Sequence, residues 1–195
     1  MSDSVALREE PIANVGQLAG VAMMFTVDRV FDVATYGEKF GDFTLKERQL
    51  TRPYIKDYDA LPNEGPANWA KQFDLSRWFF ISAWNDARRI GGAVVACQTK
   101  GVNMLEDRDD LAVLWDIRVA PEFRGKAVGA ALFCEVEANA KRRGCRELKV
   151  ETQNINVPAC RFYARQGCQL DQIISGAYPN LPDEVQMIWR KPLLG

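Results

Sequence analysis

The chain has 195 residues, of which 47% are hydrophobic, enough for a single domain over residues 1–195 with a sizeable core. Its 25 basic and 26 acidic residues nearly cancel, which argues against a general nucleic-acid-binding protein. No apolar run approaches the roughly 20 residues of a membrane span, and the N-terminus lacks the apolar core of a signal peptide, so we expect a cytoplasmic protein with no membrane partner.

Apolar and β-branched runs bounded by turn residues predict strands along the chain. These strands cover residues 21–33, 43–50, 77–84, 91–99, 112–120, 147–152, 169–177 and 184–191. Gly41-Asp42 and Asn85-Asp86 predict turns, and residues 59–66 predict a loop before a short helix at 67–74. Residues 1–19 are weakly patterned, so we expect them to be loosely held.

The clearest helix begins at Val128, because apolar residues recur at helical spacing as far as Ala140 and Gly144 suits the C-terminal cap. A second helix begins at Pro158 and ends near Gly167. Strands, a helix, a strand, a helix and further strands follow one another, which predicts an α/β (α+β) fold with a mixed sheet flanked by helices.

The segment from Arg124 to Gly129 (RGKAVG) joins a strand to the clearest helix. Glycines let the backbone approach a ligand, and the free N–H groups of a first helical turn form an anion site. Arg124 and Lys126 add positive charge, so a pyrophosphate is one predicted ligand. A basic turn whose glycines serve packing is an equally good interpretation of this segment alone.

Trp115 to Ala131 (WDIRVAPEFRGKAVGAA) resembles the coenzyme A motif of the GNAT superfamily of N-acetyltransferases. The sequence departs from that motif at Ala127, where glycine is usual, and this would weaken a pyrophosphate cradle if φ must be positive there. Val150 to Gly167 resembles the next block of the family, with matching residues at Asn156, Ala159, Tyr163 and Gly167.

The resemblance implies a mostly antiparallel central sheet with splayed parallel strands at the coenzyme site, and acetyl-CoA as co-substrate. The implied coenzyme-binding residues are Ile117, Arg118, Val119, Arg124, Gly125, Lys126, Ala127, Val128, Gly129, Ala130, Asn156, Ala159 and Tyr163. The backbone of the first three would pair with the pantetheine arm, and Tyr163 would protonate the departing thiolate. Its alternative role is packing in the core, a role that we expect Phe162 to fill instead.

An attacking amine must lose a proton, and the chain contains no histidine to accept it. The absence of histidine also removes histidine-ligated zinc, and we expect no metal. Asp116 and Glu151 are the candidate bases, because both lie in strands next to the predicted thioester site. Each is equally well interpreted as a sheet-end carboxylate in a salt bridge, for example with Arg118 or Lys149.

Short segments at 30–33, 52–58 and 150–160 resemble the streptothricin acetyltransferases, which act on an amine of a polycationic antibiotic. Aromatic faces and carboxylates suit an ammonium-bearing substrate. The predicted substrate-binding residues are Tyr54, Asp57, Tyr58, Trp78, Trp84, Asp116 and Glu151. The alternative for the segment over 52–59 is a polar loop with packing tyrosines.

The predicted partner is therefore a small-molecule amine. A polyamine, an amino-acid-like metabolite or a protein amine is an alternative acceptor, and a non-catalytic acyl-CoA-binding module is an alternative of another class. Tyr163 argues against that module, because binding alone needs no acid. Dimers are common in the resembling family, so a homodimer is left open.

Overall fold

A computed structural model describes residues 5–35, 43–62 and 64–193. The strands in these ranges are β1 (Val5–Glu10), β2 (Phe25–Thr35), β3 (Phe43–Lys56), β4 (Phe79–Asn85), β5 (Arg88–Cys97), β6 (Leu111–Val119), β7 (Glu147–Gln153), β8 (Gln169–Ile174) and β9 (Gln186–Pro192). The α-helices are α1 (Trp69–Gln72), α2 (Val128–Arg142) and α3 (Val157–Arg165), and short 3-10 helices cover Ile12–Gly20, Asn103–Leu105 and Pro121–Phe123.

Seven strands form one sheet in the order β1-β4-β5-β6-β7-β9-β8, and β2 pairs with β3 in a separate antiparallel ribbon. The pairs β1·β4, β4·β5, β5·β6 and β8·β9 are antiparallel. Arg146 N donates to Asp110 O at 2.8 Å, and these residues directly precede β7 and β6. The two neighbouring strands therefore start side by side and run parallel, with α2 as the crossover that a parallel pair requires. The predicted mixed, mostly antiparallel sheet is confirmed.

The chain divides into two compact units, which are described separately below. The first unit contains residues 1–24, 57–149 and 192–195, and the second contains residues 25–56 and 150–191. Burial of aromatic and branched side chains stabilises the first, and its core includes Leu18, Trp69, Trp78, Phe80 and Leu105. A smaller cluster in the second unit contains Val27, Val30 and Ile155. A single domain stays a prediction.

Most predicted elements are confirmed, including the hairpin at Asn85-Asp86, the helix from Val128 and the cap at Gly144, where φ is +82°. The N-terminal expectation differs from the structure, because residues 5–10 form an edge strand and residues 12–20 a 3-10 helix. Leu18 is fully buried in that helix. The predicted turn at Gly41-Asp42 lies outside the described residues.

The ribbon is longer than predicted, because β3 continues past Leu50 to Lys56 through Pro53. Pairing is interrupted between Val27 and Arg29, opposite the stretch that contains Pro53. Proline has no N–H to donate and is tolerated where a ladder is interrupted. The first strand of the ribbon begins at Phe25 instead of residue 21.

Candidate functional site

The loop after β6 and the first turn of α2, in the first unit, carry seven of the thirteen residues predicted to bind the coenzyme, residues 124–130. Gly125 and Ala127 both have positive φ, +76° and +63°, and α2 begins directly after them. Among the described residues, no side chain caps this helix. Its first N–H groups, on Val128, Gly129 and Ala130, therefore remain available, whereas Ala131 N already donates to Ala127 O.

These features fit a pyrophosphate. Free N–H groups and the dipole of the 15-residue α2 attract an anion. A Cβ built on Gly125 would meet no atom within 4 Å, so a ligand can approach its backbone. The exposed Lys126 adds a cation, and its Nζ lies 5.2 Å from the centre of the Phe123 ring.

Ala127 adopts the left-handed conformation (φ 63°, ψ −1°) at the N-cap of α2. This is the backbone position for which glycine is usual in the resembling motif. An alanine there is strained, because its Cβ approaches the following carbonyl. The sequence therefore departs from the motif at a position where the backbone conformation favours glycine over alanine.

Arg124 lies beside the loop, but its guanidinium is already engaged. Nε donates to Val119 O at 2.8 Å, Nη1 to Met24 O at 3.1 Å and Nη2 to Ala22 O at 3.2 Å. Partial burial lowers the pKa of this side chain from its ordinary value. Arg124 thus joins the end of β6 to residues 22–24, a structural role that sequence patterns did not indicate.

Arg118 forms a buried cluster with Asp116 and Asp59. Its Nε donates to Asp116 Oδ1 at 2.9 Å and Nη2 to Asp116 Oδ2 at 2.5 Å. Nη1 donates to Asp59 Oδ2 at 2.5 Å and to Val21 O at 3.2 Å, and Nη2 donates to Asp59 Oδ1 at 3.2 Å. All five N–H groups of a side chain that is 1% exposed therefore have acceptors.

This cluster decides between the two interpretations of Asp116. Burial raises the pKa of its carboxyl, against the opposing effect of Arg118. Hydrogen bonds to Asp116 and Asp59 outweigh burial and raise the pKa of Arg118. Because both oxygens of Asp116 accept from a permanently charged guanidinium, the salt bridge is favoured over the predicted base and substrate-binding roles.

The backbone of residues 117–119 in β6 faces residues 91–93 of β5 in register.

In the second unit, Asn156 caps α3. Its Oδ1 accepts from Ala159 N at 3.2 Å, so the two predicted residues contact each other. Among the residues that the structure describes, none accepts a hydrogen bond from Asn156 Nδ2. That amide group can therefore still donate to a ligand, as the family resemblance implies.

Tyr163 also lies on α3 and is buried, with 5% of its surface exposed. Phe162 is only half-buried, and the two rings meet edge to face at 5.3 Å between centroids. The expectation that Phe162 would be the packed member of this pair is therefore corrected. Burial and a reactive role are compatible for Tyr163, because a proton donor to a thiolate works best away from water.

Glu151 lies on β7, two residues from Gln153, so both side chains point to the same face of the strand. Tyr178, between β8 and β9, donates its hydroxyl to Glu151 Oε1 at 2.5 Å. Gln153 Nε2 donates to Tyr178 Oη at 3.1 Å and to Glu151 Oε1 at 3.5 Å. No described residue bonds Glu151 Oε2. Glu151 therefore keeps one carboxylate oxygen available as an acceptor.

The two predicted substrate-binding tryptophans, Trp78 and Trp84, make contacts within the first unit that favour structural roles, and their contact with a substrate stays a prediction. Trp78 is 4% exposed, packs against Phe73 and Trp115, and donates to Thr99 Oγ1 at 3.0 Å. The ring of Trp84 already carries the guanidiniums of Arg89 and Arg8, at 4.7 and 5.4 Å from its centre. A further cation would be repelled there.

The remaining predicted substrate residues are more accessible. Tyr54 is 44% exposed on β3, and partial burial raises the pKa of its hydroxyl. Asp57 Oδ1 accepts from Asp59 N at 3.1 Å, a local turn bond. Tyr58 is half-buried in the same segment as Asp57.

Sequence reasoning missed Tyr178, because a loop tyrosine 27 residues from Glu151 belongs to no local sequence pattern.

Within the described residues, no helix is both long and apolar enough to cross a membrane. The same residues contain no group of three or more metal-binding side chains. The expectation that no metal takes part stays a prediction.

Comparisons with known proteins converge on one family. A model described as the acetyltransferase (GNAT) family matches residues 44–168, well over half of the chain. A streptothricin acetyltransferase of Escherichia coli is 30% identical over 171 residues, which cover 85% of this chain and 83% of the relative.

Two solved structures resemble the fold over nearly the whole chain. The crystal structure of nourseothricin acetyltransferase is 26% identical, with a TM-score of 0.75 and coverage of 97% of this chain and 99% of that one. A putative streptothricin acetyltransferase from Bacillus anthracis, solved in complex with acetyl coenzyme A, has a TM-score of 0.74 with the same coverage. Its identity is 21%, so this likeness shows the fold alone.

Proposed function

Since this chain belongs to the acetyltransferase (GNAT) family and is an acetyl-CoA-dependent N-acetyltransferase, we propose a streptothricin-type antibiotic as its acceptor. A primary amine of the antibiotic would attack acetyl-CoA directly in a ternary complex. The relatives named as streptothricin and nourseothricin acetyltransferases support the choice of acceptor. The main structural support for acetyl-CoA binding is the N-terminus of α2, which no described side chain caps and which follows positive φ at Gly125 and Ala127.

Acetyl-CoA supplies the thioester whose carbonyl carbon accepts the amine. The N–H groups at the start of α2 and Lys126 would hold its pyrophosphate. The backbone of residues 117–119 would pair with the pantetheine arm, and Asn156 Nδ2 would donate to the same arm. Arg124 would act less through its charge than by fixing the backbone at Val119, the end of that strand segment.

Glu151 is the proposed base. The amine nitrogen gives its electron pair to a new C–N bond while the C–S bond breaks and its electron pair passes to sulfur. Glu151 Oε2 takes the proton lost by the nitrogen, and Tyr163 gives its phenolic proton to the departing sulfur. Solvent exchange then returns a proton to Tyr163 and removes one from Glu151.

The exposed Tyr54 and the half-buried Asp57 and Tyr58 remain the proposed contacts of a cationic acceptor. Trp78, Trp84 and Asp116 are not carried forward, because each is engaged elsewhere in the first unit. A cytoplasmic location belongs to the same proposal and is supported by the odd number of cysteines in the sequence, five, and by the lack of a CxxC pair among them. A homodimer stays a prediction.

The acceptor is tested by thiol release from acetyl-CoA across a panel containing streptothricin, aminoglycosides, spermidine, lysine derivatives and short peptides. We expect turnover with streptothricin to exceed that with every other amine. Preferential turnover of a polyamine, an amino-acid derivative or a peptide would retire the antibiotic acceptor in favour of that amine. Mass spectrometry of the acetylated product confirms which nitrogen has reacted.

A further inference from the structure

The hydroxyl of Tyr178 is placed to fix the carboxylate of Glu151. It donates to Oε1 at 2.5 Å, the distance of a strong bond to a charged acceptor. Gln153 Nε2 donates to the same hydroxyl oxygen at 3.1 Å, which leaves the hydroxyl proton directed at Glu151. One end of the carboxylate is thereby held by two side chains, while Oε2 has no partner among the described residues.

We propose that Tyr178 is a positioning residue for the acetyl-transfer reaction: it fixes the orientation of the Glu151 carboxylate and directs Oε2 to the attacking amine. The inference rests on the proposed function, because it requires Glu151 to accept the proton. The tyrosine itself touches neither the amine nor the thioester in this scheme and exchanges no proton with them.

The surroundings keep Tyr178 in the donor state. Burial and the neighbouring Glu151 carboxylate raise the pKa of Tyr178 well above its usual range, so its hydroxyl stays protonated at neutral pH. Gln153 donates to the same hydroxyl, and its amide does not titrate. Of the two described side chains that are hydrogen-bonded to the Glu151 carboxylate, Gln153 and Tyr178, only Tyr178 can ionise.

Removing the hydroxyl should leave the Glu151 carboxylate free to turn away from the amine. In Tyr178→Phe, we expect kcat to fall about tenfold, because Oε1 loses the hydrogen bond that orients the carboxylate. The KM for acetyl-CoA should change little, because the proposed coenzyme contacts are untouched.

A double-mutant cycle with Glu151→Gln tests whether Tyr178 acts through Glu151. We expect Tyr178→Phe to have no further effect on kcat in the Glu151→Gln background, since the group it positions is already gone. Additive losses, or an unchanged kcat in Tyr178→Phe, would overturn the inference. If Glu151→Gln alone retains wild-type turnover, the base assigned in the proposed function fails, and the inference falls with it.

Asp171→Asn is a matched control in the same β8–β9 hairpin. It removes an ion pair with Arg190 Nε at 2.7 Å, which includes none of the proposed catalytic or positioning residues, and should leave kcat unchanged. Should Tyr178→Phe melt too low to assay, Gln153→Leu takes its place, because it removes the side chain that orients the hydroxyl. A smaller fall of kcat in Gln153→Leu supports the inference, and an unchanged kcat overturns it.

Discussion

Arg118 and Asp59, 59 residues apart in the chain, form a two-bonded ion pair, with Nη1 to Oδ2 at 2.5 Å and Nη2 to Oδ1 at 3.2 Å. The same guanidinium holds both oxygens of Asp116. Two carboxylates thus share one buried cation, and the loop that carries Asp59 is fixed to β6. Asp59 keeps 27% of its side chain exposed, so the two carboxylates are not equivalent.

Breaking this cluster at its centre should be far more damaging than trimming its edge. Arg118→Met leaves Asp116 buried without a counter-charge and should lower the free energy of unfolding by about 3–5 kcal/mol. Asp59→Asn keeps the Arg118–Asp116 pair and should lower it by about 1 kcal/mol. Urea denaturation measures both values. Equal losses would show that Asp59 contributes as much as Arg118 to the free energy of unfolding. The double variant Arg118→Met/Asp116→Asn should recover part of the loss seen in Arg118→Met.

Ala127→Gly should stabilise the protein. Relief of the positive φ gains about 1–2 kcal/mol, partly offset by the greater freedom of glycine in the unfolded chain, so a net gain of about 0.5–1 kcal/mol is expected. Ala131→Gly, one helical turn later on an exposed site of α2, is the control and should cost about 1 kcal/mol. A loss of stability in both variants would contradict the strain assigned to Ala127.

Arg124→Ala should raise the KM for acetyl-CoA more than the KM for the amine. It should also lower the free energy of unfolding by about 1–2 kcal/mol, because three carbonyls lose their donor. Arg124→Lys separates charge from geometry, since one ammonium cannot reproduce the guanidinium fork. We expect the stability loss to persist in the lysine variant; full recovery of stability would show that the carbonyl bonds contribute little.

Tyr163→Phe should lower kcat by about 10²-fold or more while the KM for acetyl-CoA stays close to that of the wild type. The ring, buried on α3, is retained, and only the hydroxyl proton is lost. Stopped-flow or steady-state thiol release measures kcat, and a melting curve checks the fold. Phe162→Leu controls for packing at the neighbouring ring. Unchanged turnover in Tyr163→Phe would exclude this residue as the acid.

Glu10 should make the stability of the first unit pH-dependent. Burial raises the pKa of this carboxyl, but hydrogen bonds from Ser82 and Arg89 outweigh it and hold the pKa below its usual value of 4.5. Because the unfolded chain then binds the proton more readily, the stabilisation is complete above pH 4.5 and is lost as pH falls through the lower folded-state value.

The comparison that isolates Glu10 is Glu10→Gln. Between pH 5 and pH 3, we expect the wild type to lose about 1 kcal/mol more than the variant, because only the wild type has this carboxylate to protonate. Thermal unfolding in matched buffers gives both curves. Parallel curves would mean that the ion pair with Arg89, at 2.9 Å, adds no net stability.

The local sequence determined the path from β6 through Arg124–Gly129 into α2, and from β7 through Asn156 into α3. Periodicity, a capping residue, Pro158 and positive-φ glycines act within about ten residues, so these signals can be recognised without knowing the fold. The family resemblance of these segments also implied the predicted coenzyme-binding residues and exposed the departure at Ala127, although its φ of +63° could be known only from the structure.

Tertiary structure decided what the charged and aromatic side chains do. The sequence allowed Asp116 and Glu151 the same two roles, and only contacts separated them: Arg118 holds both oxygens of Asp116, whereas Tyr178 holds one oxygen of Glu151. The contacts of Trp78 likewise show that its ring packs in the core of the first unit. A side chain's role depends on partners that lie 27, 59 or 97 positions away, and no local pattern encodes which of them the fold brings within hydrogen-bonding distance.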